Sequence, residues 1–447
     1  MGFALARHIC EEGYDLVVID RDGARVEEIT DSFDCNGFVG NGSSPERPRK
    51  AGIESATVLV AVTTDDETNI LCCSIAKQLG VKRTVAAVRG PEYGKDREFF
   101  ADRLGVDVLI NPDMAAAHEG NKLIRYAGTV EIEKFGDGKV QVATVEITED
   151  SVLADVPMPQ VHARLGARIL ICAIDREGKI FTPKGHHDVR PGDKITFAAI
   201  GEEMEKALVQ LNIIEKALKK AVIVGGGKVG YYLTGILLEQ GVDVTLIDND
   251  LERCRELLEH YPKANVIGGD GTDSELVEKA LQGADACVAC TGKDEENLII
   301  SMFAKSFGLD RIAAVIDNYD YEVMLKKSGI NHVFSTQDVA LIDVIKDARL
   351  LATAGQNLND TNVMERLYTL NNGRVEAAEF EVGSDFALLN FEFKDKQFRL
   401  KPGILVAVII RGKDVVVPGG SSSILEGDHV IIVSAEHRIS RLSDIVG

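Results

Sequence analysis

Short apolar runs alternate with stretches of helical spacing in two long segments of the chain. In the later segment the apolar runs predict strands, and the amphipathic stretches between them predict helices. The predicted strands are Lys220–Val224, Val244–Asp248, Asn265–Ile267, Ala286–Cys290 and Ile312–Ile316, and the first helices are Val229–Glu239 and Glu252–His260. Strands separated by helices indicate a parallel sheet that is covered on both faces.

Two other segments show a different pattern, in which short strands are broken by Gly, Pro and Asp turns and few stretches have helical spacing. The strands predicted in the first of them are Val130–Lys134, Gln141–Glu146, Ile169–Asp175, Lys179–Phe181 and Lys194–Ala199. This pattern predicts a small α+β domain. A Lys- and Glu-rich helix predicted at Glu202–Lys219 links it to the second half of the chain.

The second half of the chain repeats the first. Segments match at offsets of 228 to 235 residues: Gly13–Asp20 with Gly241–Asp248, Gly40–Ser43 with Gly269–Thr272, Thr63–Asn69 with Thr291–Asn297, Pro183–Gly185 with Pro418–Gly420, and Pro191–Asp193 with Glu426–Asp428. A repeat of this length indicates a domain duplication and not a solenoid. We name the four units A, B, A′ and B′, with predicted boundaries 1–126, 127–211, 219–345 and 362–447.

A glycine-rich segment of A′ carries the clearest functional motif. Gly225–Gly230 fits G-x-G-x-x-G, follows a predicted strand and opens a helix, and Asp248 ends the next strand about 20 residues on. Gly225 allows the tight turn, Gly227 lets phosphates approach the backbone, and Gly230 lets helix and strand pack closely. A and A′ are therefore predicted to be Rossmann-like, doubly wound parallel-sheet domains, alternating with the small α+β domains B and B′.

The same context predicts the ligand. Free amides and the positive dipole end at the helix N-terminus hold a pyrophosphate or triphosphate. Asp248 can accept hydrogen bonds from ribose hydroxyls and repels a 2′-phosphate, which favours NAD(H), ATP or ADP over NADP. Asp20 is the equivalent acid in A.

Further candidate contacts lie where other strands end, on the carboxyl edge at which open α/β sheets bind ligands. Asn41 and Gly42 in A, like Asp270 and Gly271 in A′, end the third strand and can approach an adenine or a ribose.

The fourth strand is followed by Thr63 and Thr64 in A and by Thr291 and Gly292 in A′. Thr64 to Glu67 also fits a capping box, so ligand contact and helix capping both remain open, and the two are compatible.

Arg89 ends the fifth strand of A and can reach a phosphate, although a solvated surface arginine is the alternative. The corresponding position in A′ is Asp317. If Arg89 binds phosphate, the two halves cannot bind nucleotide in the same way.

The composition of the chain argues against some classes of binding partner. Lys and Arg total 50 against 71 Asp and Glu, a net charge of −21, which argues against nucleic-acid binding and against anchoring on anionic lipid by a polybasic patch. The longest apolar run, Ile404–Ile410, is too short to cross a bilayer. With no signal-peptide pattern at the start, any membrane role is expected to come through a partner and not by direct insertion.

The sequence offers few other candidates for metal-binding or catalytic side chains. Eight cysteines show no disulfide-scaffold pattern, and Cys287 and Cys290 lie in a predicted buried strand, so we interpret them as core side chains of a reduced cytoplasmic protein and predict no metal site. His186 and His187 are replaced by Ser421 and Ser422 in the repeat. No catalytic residue is predicted, because hydride transfer requires a general acid or base near the nicotinamide and no candidate recurs in both halves.

Together, the A–B–A′–B′ order, the Gly225–Gly230 motif, Asp20 with Asp248, the Asp66–Asn69 and Asp294–Asn297 segments, and the Pro-Gly-Asp turns resemble the TrkA family. These are cytosolic nucleotide-binding regulatory subunits of bacterial Trk potassium-uptake systems, and each half of the chain resembles a KTN/RCK domain. The resemblance covers essentially the whole chain. Carried over by position, it implies nucleotide contacts at Gly225, Gly226, Gly227, Lys228, Val229, Asp248, Asp20, Thr63, Thr64 and Arg89.

The resemblance also implies a mode of action. A peripheral homo-oligomeric ring, often a tetramer, would lie under an integral membrane potassium translocator of the TrkH, TrkG or KtrB type, and nucleotide binding would change the ring and gate the pore. A soluble NAD-dependent oxidoreductase and an RCK regulator of a potassium channel or exporter are the alternatives. The sequence does not separate uptake from efflux.

A departs from the pattern at its start. Gly2 aligns with Gly230, so A lacks the first strand and the first two glycines of the motif. That strand is central in this fold. We expect the natural protein to carry roughly 10 further N-terminal residues, enough for the strand and the Gly-x-Gly turn; a natural short form with a damaged first nucleotide site is the alternative.

Overall fold

The computed structural model describes residues 1–11, 13–94, 97–126, 131–213, 218–330, 332–342, 344–345, 361–371, 373–435 and 437–447. The predicted strand start at Val130, residues 214–217 of the predicted linker helix, and the boundary segments 127–130 and 346–360 lie outside these residues. The linker helix predicted over Glu202–Lys219 is shorter than predicted: it spans Glu202–Gln210, and residues 211–213, 218 and 219 are not helical. None of the described helices is both long and apolar enough to cross a membrane. The domain boundaries and the expectation about residues before Met1 stay predictions.

A′ forms the sheet that its hydrophobic pattern predicts. Its elements are β13 (Lys220–Val224), α9 (Lys228–Glu239), β14 (Asp243–Asp248), α10 (Leu251–His260), β15 (Asn265–Gly268), α11 (Ser274–Leu281), β16 (Ala286–Ala289), α12 (Asp294–Ser306), β17 (Arg311–Val315), α13 (Tyr319–Lys327) and β18 (His332–Phe334). The six parallel strands lie in the order β15-β14-β13-β16-β17-β18, the order of a doubly wound fold that reverses direction beside β13.

From its first helix on, A follows the element order of A′, but its sheet is divided. Its elements are α1 (Gly2–Glu11), β1 (Val17–Asp20), α2 (Gly23–Ser32), β2 (Asn36–Val39), α3 (Glu46–Lys50), β3 (Val58–Ala61), α4 (Asp66–Gln78), β4 (Arg83–Ala87), α5 (Arg97–Leu104), β5 (Val108–Ile110) and α6 (Pro112–Arg125). β1 pairs with β2, and β3, β4 and β5 form a second sheet, with no strand between β1 and β3 in the described part of the chain. Val17 is consequently 45% exposed on β1.

A and A′ share one compact unit. The helix α6, which ends A, packs against α9 of A′. Its small residues Ala116 and Ala117 and the larger Ile124 join Leu233 and Leu237 in one buried cluster. The apolar face of α6 is thus buried on the other copy of the repeat.

B and B′ form the second compact unit. Each contributes a five-stranded antiparallel sheet. The two sheets contribute side chains to one core that includes Phe135, Val140, Ile410 and Val433.

The elements of B are β6 (Glu131–Phe135), β7 (Val140–Glu146), β8 (Val156–Pro157), α7 (Val161–Leu165), β9 (Ile169–Arg176), β10 (Lys179–Phe181), β11 (Asp188–Val189), β12 (Lys194–Ile200) and α8 (Glu202–Gln210). Those of B′ are β19 (Val363–Leu370), β20 (Val375–Glu381), β21 (Ile404–Arg411), β22 (Asp414–Val416) and β23 (His429–Ser434). The strand orders of the two sheets are β10-β9-β12-β7-β6 and β19-β20-β23-β21-β22.

The repeated Gly-Asp turns of B and B′ have a structural explanation. Asp193 is 1% exposed, and its two carboxylate oxygens accept hydrogen bonds from Nε and Nη2 of Arg176, both at 2.8 Å, and from the Arg190 amide at 2.8 Å. Hydrogen bonding to Asp193 raises the pKa of Arg176. Asp428 and Arg411 repeat the arrangement in B′, with bonds of 2.8 and 2.7 Å. The motif therefore fastens a turn to the end of a neighbouring strand.

Replacing this buried aspartate tests that explanation. Asp193→Ala leaves Nε of Arg176 and the Arg190 amide without their acceptor, so we expect a loss of roughly 1.5–3 kcal/mol in the free energy of unfolding. Urea denaturation provides the measurement, and Asp150→Ala, at an exposed turn in the same unit, is the control. Equal stability of the two variants would contradict the assignment.

Candidate functional site

The glycine-rich loop between β13 and α9 has the geometry that its motif predicts. Gly225 has a φ of +111°, and a Cβ there would lie 2.4 Å from the carbonyl oxygen of Cys290. A Cβ on Gly230 would lie 1.9 Å from the carbonyl oxygen of Gly225, whereas one on Gly227 would meet nothing within 4 Å. Two glycines therefore permit close packing of the backbone, and the third leaves open space in front of the helix N-terminus.

Asp248, at the end of β14, is bound to this loop. Its Oδ2 accepts a hydrogen bond of 2.6 Å from the Gly226 amide, and its Oδ1 accepts one of 2.8 Å from the Asp250 amide. The carboxylate predicted to bind a ribose thus already orients the loop. Each oxygen keeps a second lone pair for a further donor.

Arg253 is a residue of this loop region that sequence reasoning missed. Its Nε donates a 2.7 Å hydrogen bond to the carbonyl oxygen of Gly226, and its guanidinium lies 5.6 Å from the ring centroid of Tyr231. It therefore brings a positive charge to the loop. Its position in the first turn of the helix that follows Asp248 was the available signal.

The next candidate pair, Asp270 and Gly271, follows β15. Oδ1 of Asp270 accepts hydrogen bonds from the amide of Thr272 at 2.8 Å and from its hydroxyl at 2.7 Å, and these bonds lower the pKa of Asp270. A Cβ on Gly271 would lie 2.3 Å from Cγ1 of Val224. Gly271 therefore brings this turn close to the end of β13, beside the glycine loop.

Thr291 is held by a buried amide. Its amide and hydroxyl both donate to Oδ1 of Asn297 at 2.9 Å, and Nδ2 of Asn297, which is 1% exposed, donates to the carbonyl oxygen of Val315 at 2.8 Å. The hydroxyl is thereby committed to the turn. Gly292, with a φ of +83° and open space at its Cβ position, leaves the backbone accessible.

A contains the same threonine–asparagine clamp, in which the amide and hydroxyl of a threonine both donate to a buried asparagine. Its geometry shows that the capping prediction is wrong. Thr63 donates through its amide and hydroxyl to Asn69 at 2.8 and 2.7 Å. The capping box predicted to begin at Thr64 is wrong: Asp65 is the N-cap of α4 and accepts from the Thr68 amide at 2.8 Å. The reason is that the Thr63 clamp sets the turn so that Asp65, in extended conformation, directly precedes the helix. Thr64 is left exposed.

The other candidates of A lie at corresponding positions. Asp20 accepts from the Asp22 amide at 2.9 Å. Oδ1 of Asn41, which precedes Gly42, accepts from the amide and hydroxyl of Ser43 at 3.0 and 2.8 Å. A glycine loop equivalent to that of A′ is not found among the described residues of A.

Arg89 lies between A and A′. Its carbonyl oxygen is 3.4 Å from both Nδ2 of Asn111 and the hydroxyl of Tyr232, and those two groups share a 2.9 Å hydrogen bond. Its counterpart Asp317 accepts a 2.6 Å hydrogen bond from Ser335. The fifth strand therefore ends in a positively charged residue in A and in a negatively charged one in A′.

A buried carboxyl in this region feels positive charges from both domains. Asp113 is 7% exposed, and its Oδ2 has no hydrogen-bond partner in the described part of the chain. Burial raises the pKa of Asp113, while the charges of Arg89 and Lys228 lower it. Lys228, which follows the glycine loop, thus shares an electrostatic partner with Arg89 of the other domain. The sequence motif did not indicate Asp113, because only tertiary packing brings it to the loop.

The fold and the site define a class of protein: a duplicated dinucleotide-type fold, with each copy followed by a small antiparallel domain. Comparison with known families agrees. The TrkA-N domain matches residues 1–112 and 221–336, and the TrkA-C domain matches residues 142–212 and 377–447. The chain belongs to the TrkA family.

Curated relatives match over nearly the whole length. The Trk system potassium uptake protein TrkA homolog of Archaeoglobus fulgidus is 28% identical over 100% of this chain and 97% of its own. The Trk system potassium uptake protein TrkA of Haemophilus influenzae is 27% identical over 98% and 94%. Among solved structures, the GsuK RCK domain covers 96% of this chain and 89% of its own at 17% identity, with a TM-score of 0.60, a likeness of fold.

Two substitutions in the glycine loop test its geometry. Gly225→Ala places a methyl group against the Cys290 backbone at a positive φ, so we expect a loss of roughly 1–3 kcal/mol from backbone strain, with the overlap adding to it. Gly227→Ala, which meets open space, is the matched control and is expected to change stability far less. Thermal unfolding provides the comparison, and similar losses in both variants would show that the loop is built differently.

Proposed function

We propose that this chain is a cytosolic, nucleotide-responsive gating subunit of a membrane potassium-uptake system. The observation that carries the proposal is the full-length match to relatives named as Trk potassium uptake proteins, in a chain whose A′ glycine loop keeps its three distinct glycine environments. The match extends through both B-type domains, which a nucleotide-binding domain alone would not need.

The nucleotide is proposed to bind along the carboxyl edge of the A′ sheet. Its phosphates would lie on the amides of the loop Gly225–Val229, in the open space before Gly227, and its ribose on Asp248. Asp270–Gly271 and Thr291–Gly292 would flank the base and the phosphates through their backbone. This arrangement suits NAD(H), ATP or ADP, because Asp248 repels a 2′-phosphate. A GsuK channel with the same fold (TM-score 0.59, 17% identity) is described as bound to NAD.

In A, the corresponding contacts are Asp20, Asn41, Gly42, Thr63, Thr64 and Arg89. Support for a phosphate contact at Arg89 comes from its position near Lys228 and the buried Asp113. A phosphate near either cation would compete with Asp113 for that charge. Binding in one domain would thereby alter the electrostatic balance at the other, which is a route for coupling the two lobes.

A regulatory role follows from what the site offers. Its amides, carboxylates and glycines bind and orient a ligand, and we assign no catalytic residue. Binding energy that differs between two conformations shifts their populations, and this shift would gate a pore. The partner is proposed to be an integral potassium translocator of the TrkH, TrkG or KtrB type, contacted by a homo-oligomeric, ring-like assembly such as a tetramer at the inner face of the membrane.

The nucleotide assignment is tested by replacing the ribose-binding acid. Asp248→Ala should weaken binding of the preferred nucleotide by roughly 1.5–3 kcal/mol, because a hydrogen bond to a charged carboxylate is lost. Titration calorimetry with NAD⁺, NADH, ATP, ADP and NADP⁺ provides the measurement.

Two variants separate the ribose contact from the support of the loop. Asp248→Asn keeps an acceptor for the Gly226 amide, and Asp243→Ala removes an exposed acid at the other end of β14. We expect Asp243→Ala to bind normally and Asp248→Asn to discriminate less against NADP⁺. Unchanged affinity in Asp248→Ala would refute the ribose assignment, and substrate-dependent oxidation of NADH would favour the oxidoreductase alternative.

The partner is tested in membranes. Co-expression with the potassium translocator should move the chain to the membrane fraction, and addition of the preferred nucleotide should change potassium flux, since ligand binding is expected to shift the gating equilibrium. Binding to protein-free anionic liposomes to the same extent would contradict recruitment by a protein partner.

A further inference from the structure

Three metal-ligating side chains converge in B′, away from the glycine loop. Glu365 on β19, Glu379 on β20 and His429 on β23 each offer one ligand atom, and these atoms all lie within 4.8 Å of one another. Nδ1 of His429 is 2.9 Å from Oε2 of Glu365 and 3.7 Å from Oε1 of Glu379. Small side-chain shifts would bring all three atoms to the roughly 2.0–2.2 Å at which nitrogen and oxygen ligands bind zinc.

Glu379 is the buried member of this cluster, and its other oxygen is held by neighbouring donors. It is 1% exposed, and its Oε2 accepts hydrogen bonds from the Gly136 amide at 3.1 Å and from Nη1 of Arg366 at 3.4 Å. Its Oε1 lies on the side of His429, 3.7 Å from Nδ1 of that residue. A cation beside Oε1 would place a further positive charge next to this buried carboxylate, which stabilises its charged form.

The backbone of β19 is adapted to this arrangement. The pairing register with β20 shifts between Met364 and Arg366, so that Arg366 pairs with Glu379 and Glu365 is the additional residue of a bulge. Bulges are frequent beside functional sites because they redirect a side chain. Here the bulge brings Glu365 to the imidazole of His429.

The negative charge around the cluster favours binding of a divalent cation. Arg366 approaches the other oxygen of Glu379 and also forms a 2.7 Å ion pair with Asp137. The guanidinium is therefore shared by two carboxylates, and Glu365 adds a third negative charge on the side of His429.

The cluster is present in one half of the chain only. At the offset of 235 residues that relates B to B′, His429 corresponds to Lys194 and Glu379 to Thr144. Thr144 is instead hydrogen-bonded to Thr196 across the strands at 2.8 Å. The two positions therefore hold an imidazole and a buried carboxylate in B′ but not in B. The sheet of B forms without these groups, so folding alone does not require them.

We propose that Glu365, Glu379 and His429 bind one Zn²⁺ ion per chain, with a water molecule as the fourth ligand. One imidazole and two carboxylates with three protein ligands suit tetrahedral zinc, whereas Ca²⁺ and Mg²⁺ prefer sites made entirely of oxygen. Because Gly136 of B donates to Glu379 of B′, the ion would strengthen the contact between the two domains. The proposal is independent of nucleotide binding.

The test uses the full chain after treatment with a chelator. Titration calorimetry with Zn²⁺ should show one site, and Co²⁺ should give the visible absorption of a tetrahedral complex. His429→Gln and Glu365→Gln should each lower Zn²⁺ affinity by more than roughly tenfold, the least that even outer-shell changes cost. His162→Gln, at an exposed histidine of B, is the matched control. Circular dichroism checks that each variant is folded.

Two results would overturn the proposal. One is the absence of stoichiometric Zn²⁺ binding to the wild-type chain. The other is binding that survives in His429→Gln and Glu365→Gln but is lost in His187→Gln, which would place the ion at the exposed pair His186 and His187, whose ring centroids are 4.2 Å apart. Glu365→Gln keeps the proposal testable if the buried site tolerates no change, because Glu365 is partly exposed.

Discussion

The hydrogen bond from the Gly226 amide to Asp248, 2.6 Å long, is the interaction on which the candidate site depends. It joins the loop after the central strand to the end of the neighbouring strand, and its charged acceptor makes it stronger than a bond between neutral groups. The loop can adopt this position only because Gly225 and Gly230 carry no Cβ where the backbone of Cys290 and of the loop itself pass. The open space before Gly227 is a consequence of that packing.

Duplication has preserved the scaffold and allowed the chemistry to diverge. The threonine–asparagine clamp and the buried Gly-Asp turn occur in both halves with nearly equal distances. These features satisfy buried polar groups, and any copy of the fold needs them. The residues that end the fifth strand differ between the halves: Arg89 in A corresponds to Asp317 in A′.

The parts of the candidate site that depend on residues close in sequence could be predicted. The glycine spacing and the acid about 20 residues later encode a turn and its neighbour, because consecutive strands of this fold lie side by side. Capping at Thr64 was a wrong prediction, since the buried Asn69 sets the turn from a distance in the fold. Asp113 was missed because its approach to the loop depends on packing between helices, whereas the position of Arg253 in the first turn after Asp248 was a signal that went unused.

The sequence by itself determined the order of strands and helices, the fold class and the duplication, because periodicity and turn residues act over a few positions. Only the tertiary structure decided that A packs with A′ and B with B′. The apolar face of α6 looks the same in sequence whichever surface covers it, and burial of apolar area is not directional. Likewise, Glu365, Glu379 and His429 lie on three strands, and only sheet register and a bulge bring them together.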